Sequence, residues 1–172
     1  MIKETIIISD ANILFDIVAA GLIDEFFELP GEKWTSSFVF NEIETTKEMH
    51  IIYEKIKRKA LHKKDFEFGE IIEINDLRNA IGYATISITD CSIWFITRKL
   101  QRRLLTGNRK LRSVVEADGL KVSGILFVFD NIIDYGILKP SEAAKRLSRL
   151  MQTNTRLPFE ECNKRLNLWK TL

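Results

Sequence analysis

Apolar positions along the chain switch between a strand-like and a helix-like rhythm. Residues 5–8, Thr-Ile-Ile-Ile, form a short unbroken β-branched run, the pattern of a strand covered on both faces. Residues 9–12 break it. From 13 to 27 the apolar residues Leu14, Ile17, Val18, Leu22, Ile23 and Phe26 recur at helical spacing, with Gly21 ending the first piece. Residues 34–36 predict a second strand, and Ser37 is placed to cap a helix running from about 38 to 42. Residues 54–64 read as a basic helix, 70–74 as a third strand and 76–83 as a short helix. Ser87-Ile88-Thr89-Asp90 has the spacing of a capping box and opens a helix to about 101. A fourth strand covers 103–106, stopped by Gly107-Asn108, and a helix follows over 110–117. Residues 121–123 predict a fifth strand and 125–135 a helix stopped by Gly136. Pro140 and Pro158 open two last helices, to about 151 and 169.

Alternating strands and helices predict an α/β fold: a parallel sheet with helices on both faces, binding ligands beyond the carboxyl ends of its strands. There is no internal repeat and no low-complexity linker. Residues 1–138 are expected to form the α/β domain, and residues 139–172 a helical extension packed on the same domain.

Composition narrows the class. The 172 residues are 45% apolar and 29% charged, with only 3 Pro and 8 Gly, as in a globular chain able to bury a core without disulfides. No window is long and apolar enough to span a membrane, and the start lacks the pattern of a secretory signal, so a cytoplasmic protein is expected. Cys91 and Cys162 make no metal-ligand spacing.

Net charge is only +2, but it is unevenly placed. Residues 1–54 hold 3 basic and 11 acidic side chains, which leaves 23 basic and 13 acidic for the rest. Lys57 and Arg58 sit in a run, 55–64, with six basic residues and no acid. Residues 91–115 hold seven basic residues, including Arg109, Lys110 and Arg112, and again no acid. Such patches draw a polyanion. Solvated helix faces are the plain alternative.

Asp10 directly follows the first strand, Glu42 lies on the helix after the second, Asp90 stands in a helix first turn, and Asn108 follows the fourth strand. A parallel sheet brings strand ends to one edge, where clustered carboxylates repel one another unless a hard cation lies between them. Each residue also has a purely structural role available: a turn for Asp10 and Asn108, a helix-start charge for Asp90, a solvated face for Glu42.

Four segments together resemble a known family. Ser9-Asp10-Ala11-Asn12-Ile13-Leu14 resembles the opening motif of PIN-domain proteins. Val39-Phe40-Asn41-Glu42 is similar to their second acidic motif, Ile86-Ser87-Ile88-Thr89-Asp90 to the third, and Leu105-Thr106-Gly107-Asn108-Arg109-Lys110 to the fourth. The resemblance covers about residues 5–137 and is nearest to PIN proteins of bacterial or phage origin, akin to the toxins of toxin–antitoxin pairs.

The resemblance implies a three-layer α/β/α domain with a parallel sheet of about five strands, and a metal-dependent endoribonuclease. Asp10, Glu42, Asp90 and Asn108 would hold Mg²⁺ or Mn²⁺, and Thr106 would orient the fourth ligand position or a bound water. Ser9 and Asn12 would support the ligands. Arg109, Lys110, Arg112, Lys57 and Arg58 would meet the RNA. A cognate antitoxin protein and a homodimer are the implied partners. Asn108 departs from the pattern, which has an acid there. An amide brings no charge and is a poor base, so the alternative is a non-catalytic PIN-like module that binds RNA or protein and lost activity at Asn108.

Other chemistries lack their motifs. There is no phosphate-cradling GxxxxGK[ST] loop, no GxSxG elbow and no HExxH pair. His50 and His62 read as surface histidines, Cys91 as a small buried residue, and Phe127 and Phe129 as core.

Overall fold

The computed structural model describes residues 6–45, 50–57, 59–82 and 86–171. Five parallel strands form one sheet in the order β3-β2-β1-β4-β5. They are β1 (Ile6–Ser9), β2 (Glu32–Ser36), β3 (Leu61–Lys64), β4 (Arg103–Leu105) and β5 (Val122–Ser123). The chain starts at the centre, builds outward through β2 and β3, then returns to the other side of β1 with β4 and β5. Ile8 of β1 stands level with Trp34 on one side and Leu104 on the other, and Ser9 pairs with Leu105. The direction reverses between β1 and β4, the switch point where open α/β sheets form their ligand crevice.

Helices cover both faces. α1 (Ala11–Ala19) and α2 (Ile23–Glu28) follow β1 and are separated by a turn at Gly21, whose φ of 70° suits glycine. α3 (Ser37–Thr45) and α4 (His50–Ile56) follow β2. α5 (Phe68–Ile81) and α6 (Ile88–Leu100) lie between β3 and β4, α7 (Arg109–Ala117) between β4 and β5, and α8 (Ile125–Asp134), α9 (Pro140–Thr153) and α10 (Phe159–Lys170) close the chain.

Successive strand residues feed opposite faces, which is why the β1 run is apolar throughout. Ile7 and Leu105 enter a core with Ile13, Ile17, Phe26, Phe129 and the C-terminal helices. Ile8 and Leu104 enter the other, with Leu14, Val39, Ile43, Cys91, Phe95 and Leu111. Ala143, Leu147, Leu150, Cys162, Leu166 and Trp169 belong to the first core. Burying side chains of this size stabilises by about 1.5–3 kcal/mol each for the larger ones. Polar clasps orient the C-terminal helices. Arg165 makes a two-pronged pair with Asp130 of α8 at 2.8–3.1 Å, and Arg146 reaches Glu25 of α2 at 2.7 Å.

Three expectations are corrected. Residues 54–64 are not one helix: α4 ends at Ile56, and 61–64 form the edge strand β3. Its Leu61 packs on the core while its lysines guard the open edge against further pairing. Residues 70–74 are not a strand but the first half of α5. Ile74 is buried, and Leu77 and Ile81 pack on the same core, a helical spacing that outweighs the local β-branched run. Glu67 and Glu70 form a capping box that starts this helix. The cap of α3 is Ser36 rather than Ser37, since the Ser36 Oγ accepts from the Val39 N–H at 3.0 Å. The other predicted elements fall within a few residues of the observed ones. Tyr83, at the predicted end of a helix, lies outside the described residues.

Candidate active site

Asp10 is the first residue beyond β1, at the switch point. Its backbone N–H donates to the Leu105 carbonyl at 3.2 Å, and its Oδ1 caps α1 by accepting from the Ile13 N–H at 2.8 Å. Its Oδ2 accepts from the Thr106 hydroxyl. The side chain is buried, 3% exposed, and no cation pairs with it among the described residues. Burial pushes its pKa up from the ordinary 3.8 to about 7. The hydrogen bonds from Thr106 and Ile13 oppose that rise, and the nearby charges of Asp90 and Asp16 add to it.

Asp90 occupies the first turn of α6. The capping box predicted from sequence is present. The Asp90 N–H donates to Ser87 Oγ at 3.0 Å, and the Ser87 N–H to Asp90 Oδ2 at 3.2 Å. The same Oδ2 accepts from Nδ2 of Asn108 at 3.2 Å. Asn108 turns its own Oδ1 away, capping α7 by accepting from Lys110 and Leu111 N–H at 3.0 and 3.3 Å. Its backbone N–H donates to Thr106 Oγ at 2.9 Å. Thr106 therefore stands between the two halves of the site, donating to Asp10 and accepting from the Asn108 backbone.

Glu42 projects from α3, exposed, and makes no hydrogen bond or ion pair with Asp10 or Asp90 among the described residues. Among the described residues, no three His, Cys, Asp or Glu side chains converge as a ready metal cage. The structure thus brings Asp10, Thr106, Asn108 and Asp90 into one connected set and leaves Glu42 outside it. Ser9 is fully buried, and its hydroxyl has no hydrogen-bond partner among the described residues, while its carbonyl accepts from Thr35 Oγ1 at 2.8 Å. Asn12 is half-buried in the first turn of α1, beside Gly107.

The donor set suits a hard divalent cation in part. Two carboxylates, one of them buried and electrostatically uncompensated, are what such an ion relieves, and every oxygen except Asp90 Oδ2, which already accepts two bonds, keeps a free lone pair. The amide oxygen of Asn108 is already committed to the helix cap.

Two positioning residues, Ser92 and its acceptor Ser36, were missed by the sequence reading. Ser92, two residues after Asp90, donates to Ser36 Oγ at 2.7 Å, tying α6 to the start of the helix that carries Glu42. Only the side-by-side serines at 36 and 37 hinted at this. Cys91, beside Asp90, is buried, and burial pushes its thiol up to about 11, so it is inert packing as read from sequence.

The basic residues divide. Arg109 and Lys110 are exposed in the first turn of α7, where positive side chains oppose the helix dipole. Arg112 is half-buried, paired with Glu116 at 3.1 Å and donating to the Val122 carbonyl at 3.3 Å. Lys57, just past the end of α4, pairs with Glu54 of that helix at 2.5 Å. Arg58 lies outside the described residues.

The fold is a three-layer α/β/α domain with acids at the switch point, and known proteins share it. Residues 6–171 match the family described as DUF3368, a PIN domain. The chain belongs to the PIN-domain family. A solved structure, VapBC2 from Rickettsia felis bound to a DNA fragment from their promoter, has a similar fold, with a TM-score of 0.51 and 17% sequence identity. The match covers 69% of this chain and 98% of that one. No curated protein matches in sequence. Among the described residues, no helix is long and apolar enough to cross a membrane.

Proposed function

We propose that the protein is a metal-dependent endoribonuclease of the cytoplasm that uses Asp10 and Asp90 to hold Mg²⁺ or Mn²⁺, with Glu42, exposed on α3, as a further proposed ligand. One observation carries the reading. Asp10 is buried at the switch point with no cationic partner among the described residues and a second carboxylate nearby, a costly arrangement unless a cation occupies it. The bound cation supplies charge neutralisation at the phosphate and lowers the pKa of a water. The chain's own part is positional. Thr106 fixes the Asp10 carboxylate and holds the Asn108 backbone, Ser87 and Asn108 fix Asp90, and Arg109 and Lys110 offer cations to the strand backbone. By analogy with the solved VapBC2 assembly, an antitoxin-like partner and a second copy of the chain are the proposed protein partners.

The test is calorimetric Mn²⁺ and Mg²⁺ binding together with RNA cleavage, comparing wild type with Asp10→Asn, Asp90→Asn and Glu42→Gln. Binding and turnover present in wild type and lost in the first two variants support the reading. A chain that binds neither metal overturns it.

A second reading has its own support. Asn108 spends its oxygen on the cap of α7 and gives Asp90 a neutral donor, which partly does the work of a cation. That arrangement suits a non-catalytic module binding RNA or protein, and binding indifferent to chelator is its signature.

A further inference from the structure

Beside Asp10 and Thr106 the crevice opens into a cavity of about 510 Å³, within the range of small-molecule sites and ample for one nucleotide. One wall is the first turn of α1 and another is Gly107 with the start of α7. A third is the loop between α9 and α10, residues 154–158, so the C-terminal helices close a pocket whose wall includes Thr106, the hydrogen-bond donor to Asp10. The floor is apolar, with Ile13 and Ile125 buried and Leu157 packed against the core. The rim carries three arginines: Arg109, Arg112 and Arg156. Arg112 shares its charge with Glu116, whereas Arg109 and Arg156 have no ion-pair partner among the described residues. α8 begins here at Gly124 without a side-chain cap, adding the positive end of a ten-residue helix.

Arg156 is held in place by a relay. Asp16 of α1, 5% exposed, accepts from Asn154 Nδ2 at 2.8 Å, and Asn154 Oδ1 accepts from the Arg156 N–H at 3.0 Å. Asp16 thus anchors the loop, and its neighbour Arg156 offsets its charge.

We infer that this cavity is a nucleotide subsite of the substrate strand. It takes the nucleotide next to the cleaved bond, with the phosphate between Arg109 and Arg156 and the sugar or base against Ile125 and Leu157. The inference rests on the nuclease reading. Cationic rim plus apolar floor is the chemistry of a nucleotide, which a single strand or a free mononucleotide can present. Thr106, which donates to Asp10, lies in the cavity wall, and that adjacency favours the strand.

The test uses the full chain in chelator, with a fluorescent single-stranded RNA decamer and, separately, uridine 5′-monophosphate. Arg156→Ala is expected to weaken RNA binding about tenfold and to lower the log–log salt slope by about 0.7, the loss of one phosphate contact to a single strand. Arg156→Lys should keep the slope, and Arg149→Ala, on the outer face of α9, should stay within twofold of wild type. Arg156→Ala binding like Arg149→Ala overturns the inference, as does mononucleotide binding without RNA binding, or neither. The same samples assayed for cleavage in Mn²⁺ separate the two ideas. Cleavage with unchanged kcat/KM in Arg156→Ala removes the subsite and keeps the nuclease. Arg156-dependent binding in a chain that cuts nothing removes the nuclease.

Discussion

The hydroxyl of Thr106 donates to Oδ2 of Asp10 across the gap between β4 and β1, joining residues 96 positions apart. That bond favours the ionised carboxylate against the burial that opposes it. Thr106→Val keeps the shape and removes the donor, so the Asp10 pKa moves further above 7. Metal binding needs the carboxylate ionised. The pH midpoint for Mn²⁺ binding, read by calorimetry between pH 5.5 and 8.5, is therefore expected to rise in the variant. A midpoint equal to wild type contradicts this role.

Asp10 also links metal-free stability to pH. Its folded pKa of about 7 lies above the ordinary 3.8, so the folded state keeps a proton that the unfolded state has released. Stability from this group is present below pH 4 and is lost as pH rises to 7, by on the order of 4 kcal/mol. Asp10→Asn keeps both hydrogen bonds, its amide donating to Thr106. It is expected to match wild type in chelator near pH 4 and to exceed it at pH 8 in denaturant melts. Mn²⁺ should stabilise only wild type.

Asn108→Asp tests the departure from the acidic pattern. The new carboxylate caps α7 as well as the amide does but replaces a donor to Asp90 with a like charge. Metal-free stability should fall by about 1 kcal/mol or more. Mn²⁺ should bind more tightly, by ten-fold or above, and turnover should rise if the wild-type site is a weakened enzyme. Unchanged affinity would falsify the idea that position 108 faces the metal.

Arg109 and Lys110 stand where helix electrostatics disfavours them. Replacing both with Glu should stabilise α7 by about 0.3–1 kcal/mol per site at low salt while weakening RNA binding. Opposite changes in melting temperature and affinity mark residues placed for a ligand rather than for the fold.

Much of this was legible in the sequence because each signal was local. The β1 run, the Ser87–Asp90 box and the Gly107-Asn108 stop depend on neighbours in the chain, and all three recur in the structure. What failed was decided at a distance. Whether 70–74 became strand or helix turned on Ile74, Leu77 and Ile81 meeting the core, and Leu61 joined the sheet because β2 offered it an edge. The association of Asp10 with Thr106 and Asn108 followed from strand order. That Glu42 lies outside the hydrogen-bonded set, that Asn108 turns its oxygen to a helix, and that Arg156 lines the same crevice all depend on side-chain direction and on the seating of the last two helices.

The order of the strands has a further consequence for synthesis. Asp10 leaves the ribosome early, but its partner Thr106 lies 96 residues behind it. At about 5–20 residues per second that is a delay of roughly 5–20 s. Until β4 slides in beside β1, the central carboxylate lacks its hydroxyl donor. The crevice assembles only when more than half of the protein has been made.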